Sequence, residues 1–179
     1  MHELDADADD DYSSSGDPEE RSISPAVFND TVGVLGPAEP VCLRETATVT
    51  EAAHGMLHAR QAAVLVVDAR GRLTGIFTER DLLTRVIGRG IDPKGTALSA
   101  VMTPNPEVLS LRDRVAYAVH CMSVAGYRTV PLVDADRKPV GIVTVSDVIR
   151  WLANLFPATV LNLPPGGDTL KRPSQLDSG

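Results

Sequence analysis

The chain has 179 residues, of which 43% are hydrophobic and 23% charged, and its formal net charge at pH 7 is −7. This composition excludes a wholly disordered chain and indicates a protein with one or two modest cores. No apolar run approaches the roughly 18 residues that a membrane span requires, and the acidic start, MHELDADADDDY, does not resemble a secretory signal. We therefore expect a cytoplasmic protein with no membrane insertion.

The negative charge is concentrated at the N-terminus. Residues 1–20 contain nine carboxylates and neither Lys nor Arg, so the remaining 15 acidic and 17 basic residues leave the rest of the chain close to neutral. Residues 1–25 are predicted to be a disordered acidic tail, because they have too few large apolar side chains to offset the entropy of ordering. Residues 163–179, rich in Pro, Gly and Ser, are predicted to be a second flexible tail. A nearly neutral core with 4% aromatic residues does not favour nucleic-acid binding.

Between the tails, the first set of elements begins with a helix. Apolar residues recur at helical spacing in VTEAAHGMLHA (49–59), and the β-branched run AAVLVVD (62–68) predicts a buried strand. After the turn residues ARGR, a short strand at 73–77 (LTGIF) leads into a second helix. The apolar face of that helix is predicted to contain Leu82, Leu83, Val86 and Ile87. The next segments predict a loop, IGRGIDPKG, and a short helix, ALSAVM.

The same order of elements recurs 66 residues later. Residues 40–86 align with residues 106–152 without a gap, and 15 of the 47 positions are identical. A fixed offset of this length indicates duplicated supersecondary units. Each copy predicts a helix, two strands and a second helix, and a unit of about 50–60 residues buries little surface alone. The predicted fold class is therefore α/β, with two helix-strand-strand-helix units packed as a pseudo-twofold pair.

Each copy carries the same motif where its second strand meets its second helix. The motif is GIFTERDLL in the first copy and GIVTVSDVI in the second, so Thr78 precedes Asp81, and Thr144 precedes Asp147, by three residues. This spacing predicts a capping box that satisfies free N–H groups at a helix start. The same hydroxyl and carboxylate would also suit the two hydroxyls of a ribose, with phosphate near the helix N-terminus. The two interpretations are compatible, and the residues alone leave both open.

These motifs resemble those of a tandem pair of cystathionine-beta-synthase (CBS) domains, often called a Bateman module. The matching segments are AVLVVDARGRLTGIFTERDLL, AVMTPNPEVL and TVPLVDADRKPVGIVTVSDVI, and the resemblance covers residues 31–157. It implies a first CBS domain with its connecting loop at 31–96 and a second domain at 97–157. Two features depart from the pattern: the segment TVGVLGPAEPVCL lacks the MTP signature, and Leu65 occupies the position of Pro131 in the second copy.

The resemblance also implies a ligand. In CBS pairs the threonine and aspartate of this motif typically hold the ribose of an adenine nucleotide, so AMP, ADP or ATP is expected in the cleft between the repeats. Arg80 and Arg128 are the predicted phosphate contacts, although either arginine is also explained as a solvated surface charge. Because Ser146 replaces Arg80 in the second copy, the two sites are expected to be unequal. The predicted nucleotide-binding residues are Thr78, Arg80, Asp81, Arg128, Thr144, Ser146 and Asp147.

Catalytic and metal-binding signatures are weak. His54 and His58 are four residues apart, but HGMLH lacks the glutamate of HExxH and has no suitably spaced further ligand. Cys42 and Cys121 lie far apart without CxxC spacing, and each is predicted to be a buried small side chain. No nucleophile with its base and no phosphate-binding loop is present. We therefore predict a protein that is not an enzyme, with no catalytic residue, metal or catalytic cofactor.

The predicted function is that of a stand-alone regulatory module that binds an adenine nucleotide between its two CBS repeats and signals to an unidentified partner protein. CBS pairs commonly dimerise through their helices, and the apolar last helix, which includes Trp151 and Phe156, favours a homodimer. The alternative is a CBS-type dimerisation or protein-interaction module in which the ligand sites are vestigial and the motifs survive as helix caps.

Overall fold

The computed structural model describes residues 28–155, so both predicted tails and Phe156 lie outside the described residues. Within this range no helix is long and apolar enough to cross a membrane. The strands are β1 (Cys42–Arg44), β2 (Ala63–Val67), β3 (Leu73–Thr78), β4 (Thr103–Pro104), β5 (Thr129–Val133) and β6 (Pro139–Thr144). The α-helices are α1 (Val49–Ala59), α2 (Glu79–Asp81), α3 (Val115–Val124) and α4 (Val145–Leu155).

Helix α1 begins with a capping box. The backbone N–H of Thr48 donates to Glu51 Oε2 at 2.6 Å, and the N–H of Glu51 donates to Thr48 Oγ1 at 3.2 Å. Hydrogen bonds from the backbone and then the side chain of Thr48 lower the pKa of Glu51. The helix buries Val49, Ala52 and Met56, whose spacing places them on one face. The predicted helix at 49–59 is thus confirmed.

Each repeat is centred on an antiparallel hairpin. Strands β2 and β3 pair from Ala63 opposite Thr78 to Val67 opposite Leu73, and β5 and β6 pair in the same way. All five residues of β2 are buried, which accounts for its uninterrupted apolar sequence. Strand β1 runs parallel to β2, so the four-stranded sheet has the order β1-β2-β3-β4 and the second sheet contains β5 and β6.

The change from Leu65 to Pro131 explains a difference between the two sheets. The N–H of Leu65 donates to the carbonyl of Val41 at 2.8 Å and helps to join β1 to β2. Proline has no N–H, so Pro131 cannot donate the equivalent bond. The corresponding contact in the second repeat is a single parallel bridge between Leu109 and Leu132. The substitution shortens the ladder without changing the path of the chain.

The segment that leads into each repeat pairs with the hairpin of the other repeat. Strand β4, which leads into the second repeat, pairs antiparallel with β3 of the first, with Pro104 opposite Gly75. Reciprocally, Ala38, which leads into the first repeat, pairs antiparallel with Ile142 in β6 through bonds of 3.1 and 3.0 Å. Both lead-in segments therefore take equivalent positions, although the first lacks the MTP signature.

Three groups of buried side chains form the interior. One group surrounds the first hairpin and includes Phe77 and Leu98, and another surrounds the second hairpin and includes Leu132 and Trp151. The third group joins the repeats and contains Ala63, Leu65, Leu73, Ile76, Val133 and Ile142. Because one core spans both hairpins, the repeats pack as a pseudo-twofold pair, and the predicted α/β fold class is confirmed.

Some local predictions were wrong. The second helix of the first repeat is not regular, because α2 is followed by a π-helical turn at Leu82–Val86 and a 3-10 turn at Ile87–Arg89. Gly88 and Gly90 lower helix propensity here, and Gly90 ends the segment with a left-handed φ of 65°. The predicted short helix ALSAVM is a 3-10 turn at Leu98–Ala100.

The prediction for the cysteines was half wrong. Cys121 is buried in α3, as expected of a small apolar side chain, whereas Cys42 is exposed. Cys42 lies on β1, an edge strand whose residues alternate between exposed and half-buried.

A substitution at Gly75 tests the contact between the first hairpin and β4, the segment that leads into the second repeat. A Cβ at this position would overlap Met102 Sδ and lie 3.1 Å from the carbonyl oxygen of Thr103. We expect Gly75→Ala to lower the free energy of unfolding by about 1–3 kcal/mol, because the backbone of β4 must move. Urea denaturation measures the change.

Gly33→Ala is the matched control, since its Cβ would lie 3.6 Å from the nearest heavy atom, an ordinary contact. Its free energy of unfolding should change by no more than about 0.5 kcal/mol. Equal losses in the two variants would contradict the importance of the contact at Gly75.

Candidate functional site

The two Thr-x-x-Asp motifs lie at equivalent junctions of strand and helix. Thr78 ends β3 and Thr144 ends β6, and the first helical N–H after each threonine donates to the residue that precedes the hairpin's first strand. These bonds join Glu79 N to Ala62 O at 3.0 Å and Val145 N to Arg128 O at 3.2 Å. The hairpin base and the helix start therefore meet in both repeats.

In the first repeat the motif forms a capping box. Asp81 Oδ2 accepts hydrogen bonds from Thr78 N at 3.0 Å and from Thr78 Oγ1 at 2.7 Å. Thr78 Oγ1 in turn accepts from Asp81 N at 3.2 Å. This geometry confirms the capping interpretation of the spacing and holds the carboxylate at the positive end of the helix.

The second repeat reproduces this arrangement closely. Asp147 Oδ2 accepts from Thr144 N at 2.8 Å and from Thr144 Oγ1 at 2.7 Å, while Asp147 N donates to Thr144 Oγ1 at 3.3 Å. Asp81 and Asp147 are the two charged residues among the buried ones in the described part of the chain, with exposed fractions of 7% and 9%. Buried carboxylates require hydrogen-bonding partners, and these motifs supply them locally.

Each carboxylate also pairs with an arginine that the sequence reasoning missed. Asp81 Oδ1 lies 3.1 Å from Arg85 Nε, and Asp147 Oδ1 lies 2.9 Å from Arg150 Nη1. The spacings are i,i+4 and i,i+3, and neither arginine has an arginine at the equivalent position of the other repeat. Helical spacing was the signal that would have found both pairs. Arg85 additionally donates to the carbonyl of Val101 at 3.0 Å.

The other predicted site residues are more open. Arg80, Arg128 and Ser146 are all exposed, and no salt bridge involves either arginine within residues 28–155. The backbone contact to Val145 brings Arg128 beside the second motif, whereas Arg80 lies within the short α2. No hydrogen bond or ion pair in the described range links one motif to the other, and none joins Arg80 to Asp81.

The motif carboxylates retain limited bonding capacity. A carboxylate offers about four lone-pair positions. In each motif Oδ2 accepts two hydrogen bonds and Oδ1 faces one arginine, so Oδ1 keeps a position for one further donor. One hydroxyl can therefore be accepted directly, whereas a pair of hydroxyls requires the arginine to move. Over the described segment, no group of three or more His, Cys, Asp or Glu residues is placed to hold a metal ion.

The family follows from these features together with sequence comparison. The profile of the CBS domain matches residues 37–88 and 98–154, and the chain therefore belongs to the CBS domain family. This confirms the resemblance to a tandem CBS pair. A plant relative, the CBS domain-containing protein CBSCBSPB3 of Arabidopsis thaliana, is 30% identical over 134 residues. That alignment covers 72% of this chain but 22% of the relative, so the chain matches a small part of the plant protein.

Two solved structures align with this chain over all or nearly all of their own length. The CBS domain protein PAE2072 from Pyrobaculum aerophilum, complexed with AMP, is 25% identical with a TM-score of 0.64, covering 72% of this chain and 100% of that chain. The CBS domain pair of protein MJ0100, in complex with 5′-methylthioadenosine and S-adenosyl-L-methionine, is 25% identical with a TM-score of 0.62. That match covers 69% of this chain and 99% of the other. Both neighbours therefore carry ligands that contain adenosine.

The capping role of Asp81 can be separated from its charge. We expect Asp81→Ala to lower the free energy of unfolding by about 0.5–2 kcal/mol, because it removes the acceptor for the backbone and side chain of Thr78. Asp81→Asn keeps an oxygen at that position and should cost less. Urea denaturation of the two variants measures the difference.

Glu79→Ala is the control, because Glu79 is an exposed carboxylate in the same first turn. It should change the free energy of unfolding by only a few tenths of a kcal/mol. The capping role would be refuted by an Asp81→Ala protein as stable as the Glu79→Ala protein.

Proposed function

We propose that this protein is a regulatory module that binds an adenine nucleotide at its Thr-x-x-Asp motifs and signals the bound state to a partner protein. The observation that carries the proposal is the repeated motif, in which two nearly buried carboxylates take the same geometry at two equivalent hairpin–helix junctions. Similarity to a CBS protein complexed with AMP supports the choice of ligand. No catalytic role is included in the proposal.

Ribose would be recognised at the exposed side of each carboxylate. One hydroxyl donates to the open position on Oδ1 of Asp81 or Asp147, and the second displaces the paired arginine. Charge-assisted hydrogen bonds of this kind are stronger than bonds between neutral groups. The ligand therefore exchanges one interaction of the carboxylate for another, and the cap on Oδ2 stays intact.

Phosphate would be bound differently at the two sites. Arg128 lies next to the start of the regular α4, so its guanidinium and the helix N-terminus can act together on one anion. Arg80 instead projects from α2, whose three residues are followed by the π-helical turn. We propose that the second site prefers nucleotides with longer phosphate chains. At this site Ser146 contributes a hydroxyl group but no charge.

The Arg85 side chain offers a route from ligand to partner. It joins Asp81 to the carbonyl of Val101, the residue two positions before β4. A ribose hydroxyl that displaces Arg85 from Asp81 would release or redirect this contact with the segment between the repeats. A ligand shifts a conformational equilibrium only by its difference in affinity for the two states. Here that difference would arise from the competition for Asp81.

Titration calorimetry with AMP, ADP and ATP tests the ligand. We expect the double variant Asp81→Asn, Asp147→Asn to bind at least about tenfold more weakly than the wild type, because it loses the charge that strengthens each hydroxyl contact. Asparagine keeps an acceptor for the cap, which limits unfolding. Asp30→Asn removes an exposed carboxylate beside the start of α3 and serves as the control.

Identical binding of AMP by the wild type and the double variant would refute the assignment of these carboxylates. Arg128→Gln should weaken ATP binding more than adenosine binding, and Arg80→Gln should do the same at the first site, because neither arginine is proposed to contact the nucleoside. Equal weakening for ATP and adenosine would contradict the phosphate roles.

The alternative function is a dimerisation or protein-interaction module with vestigial ligand sites. It is favoured by one observation: both carboxylates already have partners on both oxygens without any ligand. The same titrations separate the two functions, since a vestigial module gives no heat with any adenine nucleotide while its association with a partner persists.

A homodimer is also part of the proposal. Leu83 and Ile149 occupy equivalent positions after the two motifs and are 63% and 60% exposed, and Ile87 nearby is 59% exposed. Leu83 and Ile87 are four residues apart, and exposed apolar side chains that neighbour one another indicate an interaction site. A second copy of the chain would cover them through a symmetric interface.

Sedimentation velocity should show a dimer for the wild type and a monomer for the double variant Leu83→Glu, Ile149→Glu. Two carboxylates in an apolar interface would be desolvated without partners. Val140→Glu is the control, because Val140 is also exposed, at 42%, but lies in β6 near the hairpin turn, at the opposite end from the motif. A monomeric wild type, or a dimer that survives both glutamates, would exclude this interface.

A further inference from the structure

The turns of the two hairpins meet at the far end of the strands from the motifs. The N–H of Leu73 donates to the carbonyl of Arg137 at 2.8 Å, which joins the first turn to the second. Between the turns lies an open cavity of about 510 Å³. Its lining residues are Arg70, Arg72, Ala135, Asp136, Arg137 and Lys138. Four cationic side chains thus face one space together with a single carboxylate.

The aspartates that start the turns neutralise only part of this charge, because Asp68 pairs with Arg72 alone. Asp68 Oδ1 accepts the N–H groups of Arg70 and Arg72 at 2.8 and 2.9 Å, and hydrogen bonds from the backbone of Arg72 help to lower the pKa of Asp68. Asp134 Oδ1 likewise accepts the N–H groups of Asp136 and Lys138, at 2.9 and 2.8 Å. These carboxylates are engaged in building the turns.

Few ion pairs relieve the repulsion between the cations. Arg72 pairs with Asp68 Oδ2 at 2.8 Å. Within residues 28–155, no salt bridge involves Arg70, Arg137 or Lys138. Like charges gathered around one space repel one another, and an anion that enters the space removes this repulsion and forms charge-assisted hydrogen bonds.

The backbone of Arg137 adopts a conformation that favours glycine. Arg137 has a φ of 60°, and the equivalent residue of the first repeat is Gly71, with a φ of 79°. Glycine adopts this left-handed conformation without steric strain, whereas a side chain there is uncommon. Folding alone would favour glycine at both turns. The second turn therefore carries a guanidinium that lines the cavity at a position where the first turn has no side chain.

The cavity is distinct from the Thr-x-x-Asp sites. Thr78 is five residues along β3 from Leu73, and Thr144 is five residues along β6 from Pro139. At about 3.3 Å per residue, each motif lies about 16 Å along its strand from the turns. A small ligand at the turns therefore does not reach the motif of the same repeat.

We propose that this cavity binds a small molecule carrying two or more linked phosphate groups. The planar guanidinium groups of Arg70 and Arg137, one on each turn, match the geometry of phosphate oxygens, and the ammonium group of Lys138 adds a third cation without an ion pair among the described residues. One phosphate group cannot reach cations on both turns as well as a linked pair can. Because the lining side chains are exposed, the attraction is screened and weakens with salt. The proposal is independent of nucleotide binding at the motifs.

The probes are sodium pyrophosphate and tripolyphosphate, titrated calorimetrically into the full chain at low ionic strength. Arg137→Gly should weaken tripolyphosphate binding about tenfold, because it removes one charged donor from the cavity. Arg60→Gly is the matched control: Arg60 is also an exposed arginine with a left-handed φ, of 54°, but it lies at the end of α1. Both variants place glycine where the backbone favours it, so both should fold.

Two further comparisons define the site. The double variant Asp81→Asn, Asp147→Asn should bind tripolyphosphate as the wild type does, and citrate should bind at least about tenfold more weakly than tripolyphosphate. The proposal is overturned by absence of tripolyphosphate binding, by equal affinities of the Arg137→Gly and Arg60→Gly proteins, or by loss of binding in the aspartate double variant. Citrate that binds as tightly as tripolyphosphate would overturn the assignment to phosphate groups.

Discussion

The exchange of lead-in segments is the constraint on which the pair of repeats depends. Each hairpin is completed along one side by the segment that precedes the other repeat, at Gly75 in one case and next to Gly141 in the other. A glycine is needed because the incoming segment fills the space of a side chain. The core between the hairpins then forms from both repeats at once, so the position of each motif depends on its neighbour.

Periodicity and duplication predicted most of the fold, because both reflect burial on one face of each element. The strands at 63–67 and 129–133 follow directly from their apolar runs. The π-helical turn at Leu82–Val86 did not follow from its sequence, since its apolar spacing also fits a regular helix. The exchange of lead-in segments was also missed. It depends on contacts between residues far apart in sequence, which no local pattern reports.

For the candidate site, sequence spacing predicted the capping boxes, because they are local hydrogen bonds within four residues. It did not predict that Arg85 and Arg150 engage the other carboxylate oxygen, although both spacings permit it. The two arginines occupy positions that are not equivalent, so an alignment of the two copies does not reveal them. The basic cavity could not be predicted from the sequence for a different reason. It forms only where two turns that are 66 residues apart in the chain meet.

The π-helical turn at Leu82–Val86 has a consequence for recognition. Two identical repeats would offer a binding partner two equivalent orientations, related by the pseudo-twofold axis. The first repeat instead presents an interrupted helix and the second a continuous α4, so the two orientations bury different surfaces. Discrimination between arrangements depends on such differences in free energy. The irregular turn thus makes the two repeats distinguishable to a binding partner, which the duplicated architecture alone would not do.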